Sequence, residues 1–274
     1  MKYGLLGRVL GHSWSPLIHE ELFTILGTND TYALLEREPE QVKGYVLENN
    51  ADLKGSNVTL PYKEAVIPYL AELSPEAEKI GAVNTILFTP EGAKGYNTDY
   101  MGFDRMLQNA DISLTGKSVT VLGNGGAAKA VLQDAVDQKA AHIRLVVRNE
   151  QKARKGLAHF FAQCPDTEVV SFAAVKDGGD VVINTTPVGM SPAVEASPLP
   201  AEITAQFDAA VDVIYNPLFT KFLDDARKAG KKTCNGLYML VAQAVAAEEI
   251  WQGRTIDASL VTPILRKIEE KFHD

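Results

Sequence analysis

TVLGNGGAAKAVL, residues 120–132, is the stretch that decides the fold. An apolar, β-branched run over 118–122 predicts a strand, and from about Ala127 small and apolar residues predict a helix. Between them Gly123, Asn124, Gly125, Gly126, Ala127 and Ala128 spell GxGxxA. In that context Gly123 would permit a tight turn, Gly125 would let backbone approach a pyrophosphate, and Ala128 would let helix pack close to strand. The positive helix N-terminus would face the anion. Gly126 adds room. A turn whose glycines merely supply positive φ is the alternative, and the surrounding alternation of strands and helices argues against it. Such a loop usually stands near the start of a dinucleotide-binding chain, whereas here a domain's length of sequence precedes it.

Working outward, a chain of 274 residues suits two domains of ordinary size. A hydrophobic fraction of 46% and a charged fraction of 23% are those of a globular protein with apolar mass for two cores. A formal net charge of −8 leaves no summed positive field to gather nucleic acid or an anionic membrane. Cys164 and Cys234 show neither metal-ligand nor disulfide spacing, which reads as buried spectators in a reducing compartment. The N-terminal apolar run is broken by Arg8 and His12, unlike a secretory signal, so a cytoplasmic protein is expected. The run YMLVAQAVAA, residues 238–247, is about half of the roughly 20 residues a membrane span requires and is expected to be a packed helix.

Ahead of the glycine loop, strands are predicted at 2–7, 31–36 and 53–59 and helices at 16–26 and 39–48, with Ser15 placed to cap the first helix and Gly27 to stop it. Residues 85–89 and 94–96 flank Pro90, Glu91 and Gly92 as a hairpin on the sheet edge. The alternation implies a mainly parallel sheet. After the loop, strands at 143–147, 169–172, 181–184, 210–213 and 232–234 make a second, doubly wound sheet. Helices at 238–251 and 259–272 follow and would pack back on the first domain. The fold class is thus α/β: a mainly parallel-sheet domain over 1–101, completed by 236–274, and a Rossmann-like dinucleotide-binding domain over 102–235.

Nucleotide choice rests on the end of the strand after the loop, where an acid would bind a ribose 2′-hydroxyl and an arginine a 2′-phosphate. Arg148 stands there, with Asn149 to add a hydrogen bond and Lys152 more charge, so NADP is favoured over NAD. Glu150 pulls the other way, by holding the arginine or repelling a phosphate. A solvated arginine at a strand end is the alternative.

In the first domain HSWSP, NVTLPYK, GAVNT and GYNTD place polar groups at element ends, where α/β sheets gather ligands. Ser13 and Ser15 flank Trp14 and could present two hydroxyls to a carboxylate beside a helix N-terminus. Asn57 and Thr59 share one side of a strand end, and Pro61 ends that strand ahead of Lys63. Asn84 enters a strand at a turn, and Asp99 reads as a helix cap. Each has an ordinary structural reading alone. Together, a lysine and an aspartate facing one substrate hydroxyl would make a proton-transfer pair suited to a hydride carrier.

These motifs, with INTTPVGM at 183–190 and NGLYMLVAQ at 235–243, resemble in order the signatures of the shikimate dehydrogenase family over essentially the whole chain. The resemblance implies reversible NADPH-dependent reduction of 3-dehydroshikimate to shikimate, a step of aromatic amino acid and chorismate biosynthesis. It assigns Lys63 as proton donor with Asp99 orienting it. Ser13 and Ser15 would bind the substrate carboxylate, and Asn57, Thr59, Asn84 and Gln243 the ring and its hydroxyls. Thr185, Thr186 and Met190 would line the cofactor, Asp212, Val213, Tyr215 and Gly236 would belong to the wall between the domains, and Tyr215 would also touch substrate. The expected active site is the interdomain cleft, closing on binding to exclude water. Asn124, and Val147 and Asn149 beside Arg148, depart from the family's usual small residue and Asn-Arg-Thr; Tyr62 stands in for its usual His or Phe.

The partner expected is a small molecule, with no nucleic acid or membrane, and the protein a monomer or homodimer. His12 and His19 lack the company of a metal set, so no metal is expected. An NAD-using quinate/shikimate dehydrogenase and a noncatalytic NADP-binding regulator are the rival readings. A regulator would need neither Lys63 nor Asp99.

Overall fold

A computed structural model of the chain describes residues 1–11, 13–48 and 53–273, without the side chains of 272 and 273. His12, weighed above as a metal ligand and part of the serine motif, lies outside the described residues. The chain divides into two compact units, Met1–Gly102 with Val241–Asp274, and Phe103–Leu240.

The first unit contains β1 (Lys2–Gly7), α1 (Ser15–Leu26), β2 (Thr31–Glu36), α2 (Val42–Leu47), β3 (Leu53–Val58), β4 (Glu72–Leu73), α3 (Pro75–Ile80), β5 (Thr85–Thr89) and β6 (Gly92–Tyr96), and α4 (Thr98–Asn109) starts in it. Its sheet runs β2-β1-β3-β5-β6-β4. β1 pairs parallel with β2 and β3, while β3, β5 and β6 pair antiparallel in succession. The hairpin expected at the edge is covered instead: β4, too short to show a periodicity, pairs parallel with β6. The helix expected over 39–48 is a 3-10 turn at Pro39–Gln41 followed by α2.

The second unit contains β7 (Ser118–Leu122), α5 (Gly126–Asp137), β8 (His142–Val147), α6 (Glu150–Gly156), α7 (Ala158–Gln163), β9 (Glu168–Ser171), β10 (Gly179–Asn184), α8 (Ala201–Thr204), β11 (Phe207–Asp212), α9 (Lys221–Lys228) and β12 (Lys232–Cys234). All its strands are parallel, in the order β12-β11-β10-β7-β8-β9. Counted within the unit this is the doubly wound 3-2-1-4-5-6 order, and its topological switch falls between β7 and β10, at the glycine loop. Val119, Val121, Leu145, Val147, Val181, Ile183 and Val211 form one buried apolar face; Leu122, Val146, Val182 and Ala210 form the other. Burial on both faces is what all-parallel strands require.

The last helices, α10 (Leu237–Gln252) and α11 (Val261–His273), return the chain to the first unit. Trp251 of α10 is the reason. Its ring stacks on Tyr3 at 4.6 Å, and its indole Nε1 donates to the Ile86 carbonyl at 2.9 Å. Gly55 of β3 makes the room, since a Cβ there would lie 2.1 Å from that nitrogen. No helix among the described residues is long and apolar enough to cross a membrane. Cys164 and Cys234 are free and half-buried rather than fully buried, and burial pushes the Cys234 thiol up to about 11.

Candidate active site

In the first unit the end of β3 places Lys63. Thr59 donates its N–H to the Leu6 carbonyl at 2.9 Å, the chain turns through a cis Leu60–Pro61 bond, and the Lys63 carbonyl accepts from Val83 N at 2.8 Å. Lys63 Nζ then donates to Asp99 Oδ2 at 2.5 Å, with the side chains only 18% and 15% exposed. Asp99 does not cap α4 as expected. Asn97 does, its Oδ1 accepting from Tyr100 N at 3.1 Å. Asp99 therefore sits in the first turn with its carboxylate spent on the lysine, where the helix N-terminus favours an anion.

Asn84 is held between strand ends: its N–H donates to Tyr96 O and its carbonyl accepts from Val58 N. Its Oδ1 accepts from Thr98 N at 2.6 Å and from the hydroxyls of Thr85 and Thr98 at 3.0 and 3.2 Å, which directs the amide nitrogen to any outside ligand. Asn57, almost wholly buried, has its Nδ2 on Thr85 Oγ1 at 3.1 Å and its Oδ1 accepting from the Tyr32 hydroxyl at 2.7 Å.

Ser15 is the first residue of α1 rather than its cap; Trp14 occupies the cap position and makes no side-chain cap bond there. Ser15 N donates to Ser13 Oγ at 3.2 Å. Both serines are half-buried, as are Thr59 and, on α10, Gln243. Tyr215 belongs to the second unit, where burial raises its phenol.

Sequence reasoning passed over the group beneath these residues. His19 of α1 stacks on Tyr32 at 4.1 Å and 7°, and its Nδ1 lies 2.7 Å from Glu248 Oε1 of α10, both side chains fully buried. The partners are 229 residues apart. Nothing local in the sequence marks them.

In the second unit the glycine loop has the shape its pattern predicts. Gly123 sits at φ +100°, where a Cβ would meet Thr186 Cγ2 at 2.8 Å and Thr185 Oγ1 at 3.0 Å. Gly125 is the N-cap of α5, makes no side-chain cap, and has open space where a Cβ would be. Asn124 and Gly125 are exposed and Gly126 and Ala127 half-exposed, so uncapped N–H groups face solvent at the start of a twelve-residue helix. Those residues fit a pyrophosphate.

Thr185 Oγ1 donates to Leu122 O at 2.7 Å, and Thr186 donates both N–H and hydroxyl to Asn184 Oδ1 at 3.0 and 2.7 Å, so these hydroxyls brace the loop after β10. Asn184 is fixed in turn by Asp212, whose carboxyl burial lifts to about 6. Val213 N donates to Asn184 O, and Gly236 lies so close to Val213 that a Cβ would be 2.0 Å from its carbonyl oxygen. Met190 is 46% exposed. Arg148 is exposed at the end of β8 and makes no ion pair with Glu150. Asn149 caps α6 through Lys152 N at 2.8 Å, and Lys152 is exposed. Among the described residues no cluster of His, Cys, Asp and Glu could hold a metal.

A lysine–aspartate pair in one α/β unit and a GxGxxA loop in the other is the architecture of a dinucleotide-dependent oxidoreductase. Residues 5–86 match the family described as shikimate dehydrogenase substrate binding domain. A Clostridium beijerinckii protein named shikimate dehydrogenase (NADP(+)) is 42% identical over 98% of both chains. The crystal structure of a chorismate mutase/shikimate 5-dehydrogenase fusion protein from Clostridium acetobutylicum matches with a TM-score of 0.92 and 44% identity, over 99% of this chain and 98% of that one. Shikimate 5-dehydrogenase from Thermus thermophilus, solved in complex with NADP(H) and shikimate, matches with a TM-score of 0.85 and 34% identity, over 97% and 99%. The chain belongs to the shikimate dehydrogenase family.

Proposed function

We propose that this protein catalyses the reversible NADPH-dependent reduction of 3-dehydroshikimate to shikimate, in the biosynthesis of chorismate and the aromatic amino acids. The observation that carries the reading is the Lys63–Asp99 pair, 2.5 Å apart and mostly buried, in a chain of this family. We assign substrate to the first unit and dinucleotide to the second.

Bound at Gly123, Asn124, Gly125, Gly126 and Ala127, with its 2′-phosphate on Arg148, NADPH would supply the hydride. The chain's own residues manage the substrate and the proton. Ser13 and Ser15 take the carboxylate beside the N-terminus of α1, where the helix dipole favours an anion. The Asn84 amide nitrogen, Thr59, Asn57 and Gln243 take the ring hydroxyls, and Tyr215 adds a contact. As the carbonyl carbon gains hydride its oxygen becomes an alkoxide. Lys63 Nζ donates a proton to it, and Asp99 holds the ammonium in line. In the oxidising direction the same amine receives the hydroxyl proton.

Asn149 and Lys152 support the phosphate side by setting the start of α6, and Thr185, Thr186, Met190, Val213 and Gly236 shape the nicotinamide side. The enzyme works in the cytoplasm as a monomer or homodimer, without nucleic acid or membrane. Lys63→Ala tests the assignment: kcat is expected to fall about 10²–10⁴-fold, the range for a positioned acid or base, with shikimate still binding. An undiminished kcat would refute the role of Lys63.

A further inference from the structure

We propose that Tyr32, clamped by the buried His19–Glu248 pair, is a positioning residue that fixes the Asn57 amide for the substrate. This rests on the assignment of Asn57 as a substrate ligand.

The phenol oxygen donates to Asn57 Oδ1 at 2.7 Å. Asn57 lies near the end of β3 and Tyr32 on β2, with β1 between them, so the bond reaches across a strand of the sheet. The ring is fixed by its neighbours. His19 lies parallel to it at 4.1 Å, and Trp251 is tilted against both rings at 5.4 Å from His19 and 6.5 Å from Tyr32. Glu248 holds His19 through Nδ1, and Gln252 Nε2 holds the other Glu248 oxygen at 2.7 Å. Burial raises the Tyr32 phenol well above its ordinary value, so the hydroxyl stays protonated and remains a donor.

A buried amide oxygen that loses its donor pays a desolvation cost. Without the Tyr32 hydroxyl, Asn57 Oδ1 loses its donor and the amide is held only through Nδ2, on Thr85. Tyr32 touches neither Lys63 nor Asp99. The loss should therefore fall on substrate binding, equally in ground and transition states, and raise KM with kcat preserved.

The test is Tyr32→Phe, which keeps the ring stack and removes only the oxygen, compared with Asn57→Ala and the double variant. Shikimate Kd from calorimetry is read alongside KM and kcat. Tyr32→Phe is expected to raise shikimate KM and Kd about tenfold, to leave kcat and the NADP KM within about twofold, and to cost less in the Asn57→Ala background because the two share one interaction. Glu248→Gln, which still accepts from His19, should leave shikimate KM near wild type, whereas Glu248→Leu should raise it. Unchanged shikimate Kd in Tyr32→Phe, or an effect fully additive with Asn57→Ala, overturns the proposal. Wild-type protein that binds shikimate but does not turn it over overturns the proposed activity instead, and the Kd comparison still decides the role of Tyr32.

Discussion

Asp134 lies in the middle of α5, 1% exposed, where one hydrogen bond from Gln138 Nε2 at 2.8 Å is poor compensation for a buried carboxylate. Burial, first, and the nearby charges of Asp104 and Asp137 lift its pKa from 3.8 to about 7. At 1.36 kcal/mol for each pH unit between those values the difference is on the order of 4 kcal/mol. The unfolded chain ionises Asp134 near pH 4 while the folded chain resists until about pH 7. Stability is therefore fully present below pH 4, is lost as pH rises toward 7, and stays lost above it. Asp134→Asn keeps the shape and the Gln138 bond but cannot ionise. At pH 8 its Tm should exceed wild type by roughly 8–16 °C, at the roughly 2–4 °C per kcal/mol expected for this size of domain; at pH 4 the two should melt together. Thermal melts followed by far-UV circular dichroism at pH 4, 6 and 8 give the comparison. An equal gain at pH 4 and pH 8, or none at pH 8, would refute the reasoning.

Arg148→Ala should raise the KM for NADP about 10- to 100-fold, the worth of a charge-assisted hydrogen bond, with the KM for NAD nearly unchanged; equal effects on both would remove Arg148 from the 2′-phosphate. Gly123→Ala combines φ +100° with a Cβ 2.8 Å from Thr186, so calorimetry should show NADP affinity falling more than tenfold with shikimate Kd unaltered.

The second sheet was legible because its central strands are apolar, β-branched runs bounded by turn residues, and a parallel sheet buried on both faces leaves that mark in the sequence. The glycine loop was legible for the same local reason. β4 and α3 were not, since two strand residues and six helical ones show no period. At the site, residue types were read correctly and some local roles were not. Ser15 and Asp99 are good cap residues by type, yet Ser15 falls inside α1, Asp99 turns its side chain to Lys63, and the capping of α4 passes to Asn97. Competition of that kind is settled by tertiary packing. His19 and Glu248 are the extreme case, meeting only because Trp251 seats α10 against Gly55 of β3.

The most direct measurement is the initial rate of change in nicotinamide absorbance with purified protein, shikimate or quinate, and NADP or NAD, in all four combinations. A strong preference for shikimate with NADP is the predicted result. Nucleotide binding without turnover in any combination would contradict the account and leave a dinucleotide-binding regulator in its place.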